Sequence, residues 1–535
     1  MLTATCLLPL VDPERQAFLE VVPEDHFLRR LPQAVDFEQF RSLVESCYKA
    51  FGRPPLDCVF MLKLELLARQ FRLSDREVIA AVRFNIAYRL FLGISLKSPL
   101  PHHTLLTYFR QRLGPDRLQQ VFDNLVGQAR RLGLVKDRLR LKDATHIIAN
   151  IAVPSTIRLV AEIREQLLAA LEPFAATRVA EEQTRAEAIR LATEDVKDEE
   201  CLLQRVTHLR SILAWADDVP AAANVAAGNV AAGNVAPTAA AERLRSALAL
   251  AHKILADREA PEAGDKVISV HDPDARCGKH GDFYDGYLLD VAMDANSEII
   301  TAINVLPANG NEGADAIQLL RQEEQAHGNH VETLSIDGAG YRGDLLRELT
   351  DPQGLNVEVI VPPTERLPLT VFGPEQFTFS DDRRTLTCPA GQTTTQHERN
   401  TNDTGEKFRF SKKQCGGCAL REQCLSNPRT KSRTVIKNDY EAEYRAAQAK
   451  AQTPAYAATR KEHPAIERKL SELVNRHDAR HARYRGRPGV RWQMLLTGLV
   501  VNLKRIVRLL SAGITAARGG PASVGTVRAE LVGAN

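Results

Sequence analysis

No stretch of this 535-residue chain holds the roughly 18 uninterrupted apolar residues that a membrane-spanning helix needs. The first residues, MLTATCLLPLVDPER, carry no basic leader and break a short apolar run at Pro9, so export is not expected. No P-loop and no G-x-S-x-G elbow is present, and none of the histidines takes zincin spacing, which removes support for ATP hydrolysis, serine chemistry and zincin proteolysis. Nine cysteines, an odd number with four gathered between Cys388 and Cys424, are too scattered for a disulfide framework. They fit reduced thiols and one metal site. The expectation is a soluble, cytoplasmic protein with no membrane partner.

What is present is ordinary globular material: hydrophobic residues at 44% and charged residues at 26% exclude wholesale disorder. At about 150 residues per domain there is room for about three or four domains. The net charge of +3 hides segregation, because residues 161–200 carry eleven acids against five bases while residues 101–142 carry nine bases against three acids. From Arg460 to Arg508 there are thirteen Lys or Arg against four Asp or Glu, interleaved with Tyr484 and Trp492. Counterion release from a nucleic acid rewards such clusters, although any one of them also reads as a solvated helix face.

Helical spacing of Phe37, Phe40, Leu43, Val44 and Cys47, then of Val59 to Phe71, predicts an all-helical module up to about Leu134. Ser74 and Glu77 form a capping box opening a helix to Leu92, and a helix from Thr104 ends at Gly114. LRLKDAT alternates as a strand with Asp143 near its end. Residues 155–260 are helix-prone and read as an inserted helical hairpin, interrupted by the repeat NVAAGNVAAGNVAP, which reads as a flexible loop tip. Strands are expected at 267–270, 286–293 and 298–305, a helix from Gly313 to Ala326, a strand ending at Asp337, a helix from Tyr341 to Leu349, and a strand at 357–361. That order is an α/β sandwich with a mixed sheet. A helix beginning at Pro464 buries Ile466, Leu470, Leu473 and Val474.

Asp143 and Asp337 each lie at a strand end, and neighbouring strands could bring them together. Two carboxylates that close repel, so a stable ionised pair implies a bound cation, and all-oxygen ligation suits Mg²⁺ or Mn²⁺. Glu467, one residue past the start of the buried stripe, is the third candidate; Glu472 is its rival, turned about 140° away by the helix period. Each residue taken alone also reads as a turn cap or salt-bridge partner.

The blocks KDATHIIAN, FYDGYLLDVAMDANSEIITAINVLPANGNEGADA, IDGAGYRGD and HPAIERKLSELVNRHDARHARYRGRPGVRWQMLLTGLVVNLKRI together resemble an insertion-sequence transposase of the DDE class. With GRPPLDCVFMLKLELL, LSDREVIAAVRFNIAYRLFLGIS and LPHHTLLTYFRQRLG near the N-terminus, the likeness is closest to insertion-sequence family eleven-eighty-two and covers roughly residues 20–510. The resemblance implies a bacterial, nucleoid-associated DNA transposase with a ribonuclease-H-like mixed-sheet core and Asp143, Asp337 and Glu467 as the catalytic triad on two Mg²⁺ or Mn²⁺ ions. It also implies end cleavage, joining to target DNA, and a homodimer in the reacting complex. Relatives carry a Lys seven residues after the Glu; here Val474 stands there, with Arg468, Lys469 and Arg476 nearby. Arg460 is the candidate for the Arg that precedes the Glu, although at a longer spacing. Candidate DNA contacts are Arg460, Lys469, Arg476, Arg483, Tyr484, Arg485, Arg110 and Arg112.

Cys388, Cys415, Cys418 and Cys424 can close a tetrahedral structural Zn²⁺ site, with His397 able to replace a cysteine; unliganded thiols are the alternative. The expected organisation is a helical N-terminal DNA-binding domain (1–135), a core in two parts (136–154 and 266–365), the helical insertion (155–265), a Cys-rich insertion (366–435), C-terminal core helices (436–512) and a tail (513–535). Two other readings use the same parts: a metal-dependent nuclease that does not transpose, and a DNA-binding regulator without catalysis.

Overall fold

The computed structural model describes residues 7–45, 56–219, 239–260, 264–364, 371–380, 384–401, 404–427 and 429–519. The N-terminal region is helical: α1 (Asp12–Val21), α2 (Phe27–Ala34), α3 (Arg41–Glu45), α4 (Cys58–Gln70), α5 (Asp75–Phe84), α6 (Ile86–Leu92) and α7 (Thr104–Arg131). The capping box at Ser74 forms, with Ser74 N–H donating to Glu77 at 2.8 Å and Glu77 N–H to Ser74 Oγ at 3.3 Å. The one helix expected to Leu92 is two, because the Asn85 side chain accepts the Tyr88 N–H and starts a new turn. Gly114 takes φ 66° before Pro115, so α7 bends at the residue expected to end it.

Strand β1 (Arg140–Ile148) leads into the insertion: α8 (Thr156–Ala192), α9 (Asp198–Ala216) and α10 (Ala239–Glu259). In place of the expected hairpin, α8 breaks at Ala175, two residues past Pro173, and Arg164 and Arg190 from its two arms line one surface pocket. Side-by-side arms make the insertion a bundle with its own core of Leu167, Ile212 and Leu248. The tandem repeat lies outside the described residues.

The expected strand at 267–270 is absent: Val267 N–H donates to Asp257 Oδ2 at 2.9 Å, and Val267 and Val270 fill the bundle core instead. The chain enters the sheet at β2 (Arg276–His280), an edge strand whose mostly exposed residues give no alternation to read. Then come β3 (Asp282–Asp294), β4 (Ile300–Pro307), α11 (Glu312–His327), β5 (Thr333–Ser335), α12 (Gly343–Thr350) and β6 (Glu358–Ile360). Across the sheet the order is β4-β3-β1-β5-β6; β3 runs antiparallel to β1 and β4, while β1, β5 and β6 are parallel. The α/β sandwich with a mixed sheet is therefore present.

A Cys-rich module follows, with two three-stranded sheets, β7 (Thr378–Phe379), β8 (Leu386–Thr387), β9 (Thr393–Thr394) and β10 (His397–Arg399), β11 (Gly405–Arg409), β12 (Thr434–Asn438), and the short helices α13 (Lys412–Gly416) and α14 (Arg421–Cys424). Helices α15 (Glu441–Ala451), α16 (Pro454–Glu462), α17 (Pro464–His477) and α18 (Arg487–Gly519) return to the sheet. Alternation decides the two faces. Ala292, Ala302 and Leu319 pack α11 on one side, whereas Leu141, Ile147, Val291 and Ile303 on the other join α4, α7, α17 and α18 in the largest core. No described helix is long and apolar enough to cross a membrane.

Candidate active site

Leu141 on β1 pairs with Ser335 on β5 in a parallel register. Two residues further along both strands stand Asp143 and Asp337, on the face shared with Leu141, and adjacent strands are about 5 Å apart. The pairing has an electrostatic signature. The Asp143 carboxyl is pushed up to about 6, first by burial and then by the charge of Asp337, with Glu312 adding to it; the Ala144 N–H at 2.8 Å and Lys142 pull the other way. Lys142 cannot serve as a close counter-ion because it points to the opposite face. There its ammonium lies 3.1 Å from Asp290 and donates to Glu312 O at 2.8 Å.

Helix α17 is set against this pair by a latch at its start. His463, which is buried, places Nδ1 3.0 Å from Ser335 Oγ, and Arg460 Nη1 donates to Ile336 O at 2.9 Å and to Ser335 Oγ at 3.3 Å. At the far end Ile148 N–H donates to Arg480 O at 2.8 Å, so α17 and β1 run side by side in the same direction. From the latch, Glu467 is four residues up the helix, a rise of about 6 Å, and Asp337 is two residues up the strand, also about 6 to 7 Å. The helix period puts Glu467 about 40° round the helix from His463, where it is exposed. Glu472 lies 2.9 Å from Lys469 and 3.5 Å from Lys504, and these cations hold its carboxyl below the usual range against the effect of burial. Asp143, Asp337 and Glu467 have no cation partner among the described residues. Nor does any group of three or more His, Cys, Asp or Glu there have the closeness needed to hold a metal ion, so the three stand as separate carboxylates.

Two family models match the chain: a transposase domain of the DUF772 type over residues 16–112, and a transposase DDE domain over residues 387–507. Together they support a DNA transposase of the DDE type. No solved structure matches. The DDE match takes in the four cysteines of the Cys-rich module, Glu467 and the basic stretch, whereas Asp143 and Asp337 lie outside it.

The expected DNA-contacting residues divide. Arg110 is not a surface contact: it ion-pairs with Glu65 at 2.9 Å and with Asp75, and lies 5.9 Å from the Tyr484 ring, which is itself half-buried. Lys469 is buried between Glu472 and Glu298, so its charge is spent inside the chain. Arg112, Arg476, Arg483 and Arg485 are exposed, with Arg485 Nε donating to Asn150 O at 3.2 Å, and Arg460 is tethered by the latch. Val474 is half-buried in α17, while Arg468 and Arg476 are exposed beside it. The residue missed in the sequence is Glu312, the first residue of α11: behind the Asn311 cap it reads only as a first-turn acid, yet its charge reaches Asp143.

All four cysteines of the Cys-rich module line one cavity of about 30 Å³ together with Phe377, Phe410 and Arg433. Burial pushes the Cys424 thiol up; Arg433 opposes this, and Cys415, Cys388 and Cys418 add to it. His397 is not part of this lining; its ring stacks on Phe408 at 5.2 Å. Every described cysteine is a free thiol.

Proposed function

We propose that the chain binds the ends of an insertion sequence, cleaves the phosphodiester there and joins the freed 3′ hydroxyls to target DNA, with Asp143, Asp337 and Glu467 as its catalytic carboxylates. One observation carries this: the parallel register of β1 and β5 aligns two carboxylates that have no ion pair among the described residues, on the face along which α17 packs with a third. The strand order β4-β3-β1-β5-β6, with β3 antiparallel and β5 and β6 parallel to β1, supports the ribonuclease-H-like reading of the core. The sequence blocks support the finer kinship with insertion-sequence family eleven-eighty-two.

Asp143 and Asp337 would hold two Mg²⁺ or Mn²⁺ ions and Glu467 one of them. Hard oxygen donors fit these ions, and of the two causes that raise Asp143, burial first and then the charge of Asp337, the second is what a divalent cation relieves. When bound, such ions activate the attacking water or 3′ hydroxyl and stabilise the leaving oxygen. The protein's part is placement. The sheet fixes the two aspartates, the latch of Arg460 and His463 on β5 sets the height of α17 and so of Glu467, and the exposed cations Arg476, Arg483 and Arg485 hold the phosphate backbone. Joining two ends calls for two copies in the reacting complex. The four cysteines line one cavity away from the carboxylates and would be the thiolate donors of a structural Zn²⁺, drawn closer together by the ion than they stand without it.

The test is Mn²⁺-dependent cleavage and strand transfer on DNA carrying the ends that flank this gene. Asp143→Asn, Asp337→Asn and Glu467→Gln should each abolish both while DNA binding survives, and Glu472→Gln should keep both. Full cleavage by any of the first three removes that residue from the site. Cleavage without a joined product makes the protein a nuclease.

A further inference from the structure

The Cys-rich module holds cations of two kinds. On its β10-β11-β12 sheet the charges are neutralised: Arg409 and Lys407 pair with Glu398 at 2.5 and 3.3 Å, and Arg399 pairs with Asp439 at 2.6 Å. At its other end Lys412, Lys413, Arg429 and Lys431 are exposed and have no ion pair among the described residues. Sequence separates these four by up to nineteen positions, but the fold gathers them. Arg421 donates from Nη1 to Cys415 O at 3.1 Å and from Nη2 to Thr430 O at 2.9 Å, so one guanidinium ties α13 to the loop after α14. Lys412 and Lys413 lie within three residues of Cys415, and Arg429 and Lys431 flank Thr430. A single acid, Glu422 on α14, is exposed among them.

We infer that this end of the Cys-rich module is a DNA-contacting surface, with Lys412, Lys413, Arg429 and Lys431 seated on the phosphate backbone of a duplex. The inference rests on the DNA-transposase reading and adds an interface to it, apart from the basic stretch after Arg460. Four cations set against the single acid Glu422 leave an excess of positive charge on this surface, and a polyanion is drawn to it while releasing its own counterions. The cysteine cavity has a place in this arrangement, since Cys415 and Cys424 anchor the two short helices that carry and support the cations.

The experiment measures binding of the full-length protein to a random-sequence 30-base-pair DNA duplex as a function of salt. The variant Lys412→Gln, Lys413→Gln, Arg429→Gln, Lys431→Gln changes only exposed side chains, and its thermal melt should match the parent. Its affinity should fall more than tenfold, and its log–log salt slope should become shallower by about 3 to 4, roughly 0.9 for each lost phosphate contact. The control Lys407→Gln, Arg409→Gln, in the neutralised sheet, should leave the slope unchanged. An unchanged slope in the fourfold variant, with the parent binding normally, overturns this surface alone. A parent that binds no DNA at any salt overturns the transposase reading with it.

Discussion

Asp143 and Asp337 occupy matching positions on neighbouring parallel strands, two residues beyond the Leu141–Ser335 pair, and among the described residues neither forms an ion pair. The Asp143 carboxyl, raised from its ordinary 3.8 to about 6, therefore makes the ionised protein less stable than it would be without that charge. The folded form holds a proton that the unfolded chain has already released, so the penalty is absent below pH 4, grows between pH 4 and 6, and is complete above. Asp143→Asn should stabilise the metal-free protein at pH 8 by about 1 to 3 kcal/mol, seen as a higher Tm, and the gain should vanish at pH 4. An Asn variant no more stable than the parent at pH 8 rules out the penalty that burial and then the Asp337 charge place on this carboxylate.

Divalent ions should reverse that order. In the parent protein Mn²⁺ should raise the Tm at pH 8, because it binds the folded acids and not the dispersed unfolded ones; Asp337→Asn should lose most of that rise. The same variant should cleave DNA at least about 100-fold more slowly, the loss of several kcal/mol of charge stabilisation. A metal-induced shift of equal size in parent and variant places the ions elsewhere.

Arg110 illustrates where a charge count misleads. In the sequence it is one base in a basic region, but its partners Glu65 and Asp75 stand 45 and 35 positions away and only folding shows them. Asp143 is legible because LRLKDAT alternates, and α17 because its apolar stripe follows a proline. The three-residue strands β5 and β6 are marked by their branched apolar residues. Edge strand β2 and the role of Glu312 are not legible, since neither carries a period. Nor is the latch, which joins Ser335 to His463 across 128 positions.

Arg110→Ala should then act on stability. It strands the buried Glu65, whose carboxyl burial already lifts to about 8 against the opposing charge of Arg110. The cost should be about 3 kcal/mol in a urea titration. DNA affinity per folded molecule should stay within twofold; a large loss of affinity at unchanged stability would return Arg110 to the DNA interface.

Zinc should be stoichiometric with the chain and depend on the four cavity cysteines. Cys388→Ser or Cys418→Ser should lower the zinc content measured by atomic emission and expose the segment from Phe372 to β12 to protease, while Cys58→Ser and Cys201→Ser, in other cores, should leave zinc in place. Equal zinc in all four variants, or none in the parent, leaves the cluster as packed thiols.

The latch makes its own pH prediction. Burial, and then the nearby Arg460 charge, hold His463 down at about 4, so the folded protein keeps a neutral imidazole where the unfolded chain takes up a proton near pH 6.5. Stability from this group is complete above pH 6.5 and is lost as pH falls toward 4. His477, buried against Lys504, is likewise held at about 4 and adds a second loss in the same window. His463→Gln keeps a polar partner for Ser335 without a titrating ring, so its stability should fall by about 2 kcal/mol less than the parent's between pH 6.5 and 4. Because that contact sets the height of α17, and so of Glu467, against β5, the variant should also cleave more slowly at pH 8 while binding DNA as before. Cleavage at the parent's rate would mean that α17 holds its height through the apolar stripe of Ile466, Leu470 and Leu473 alone.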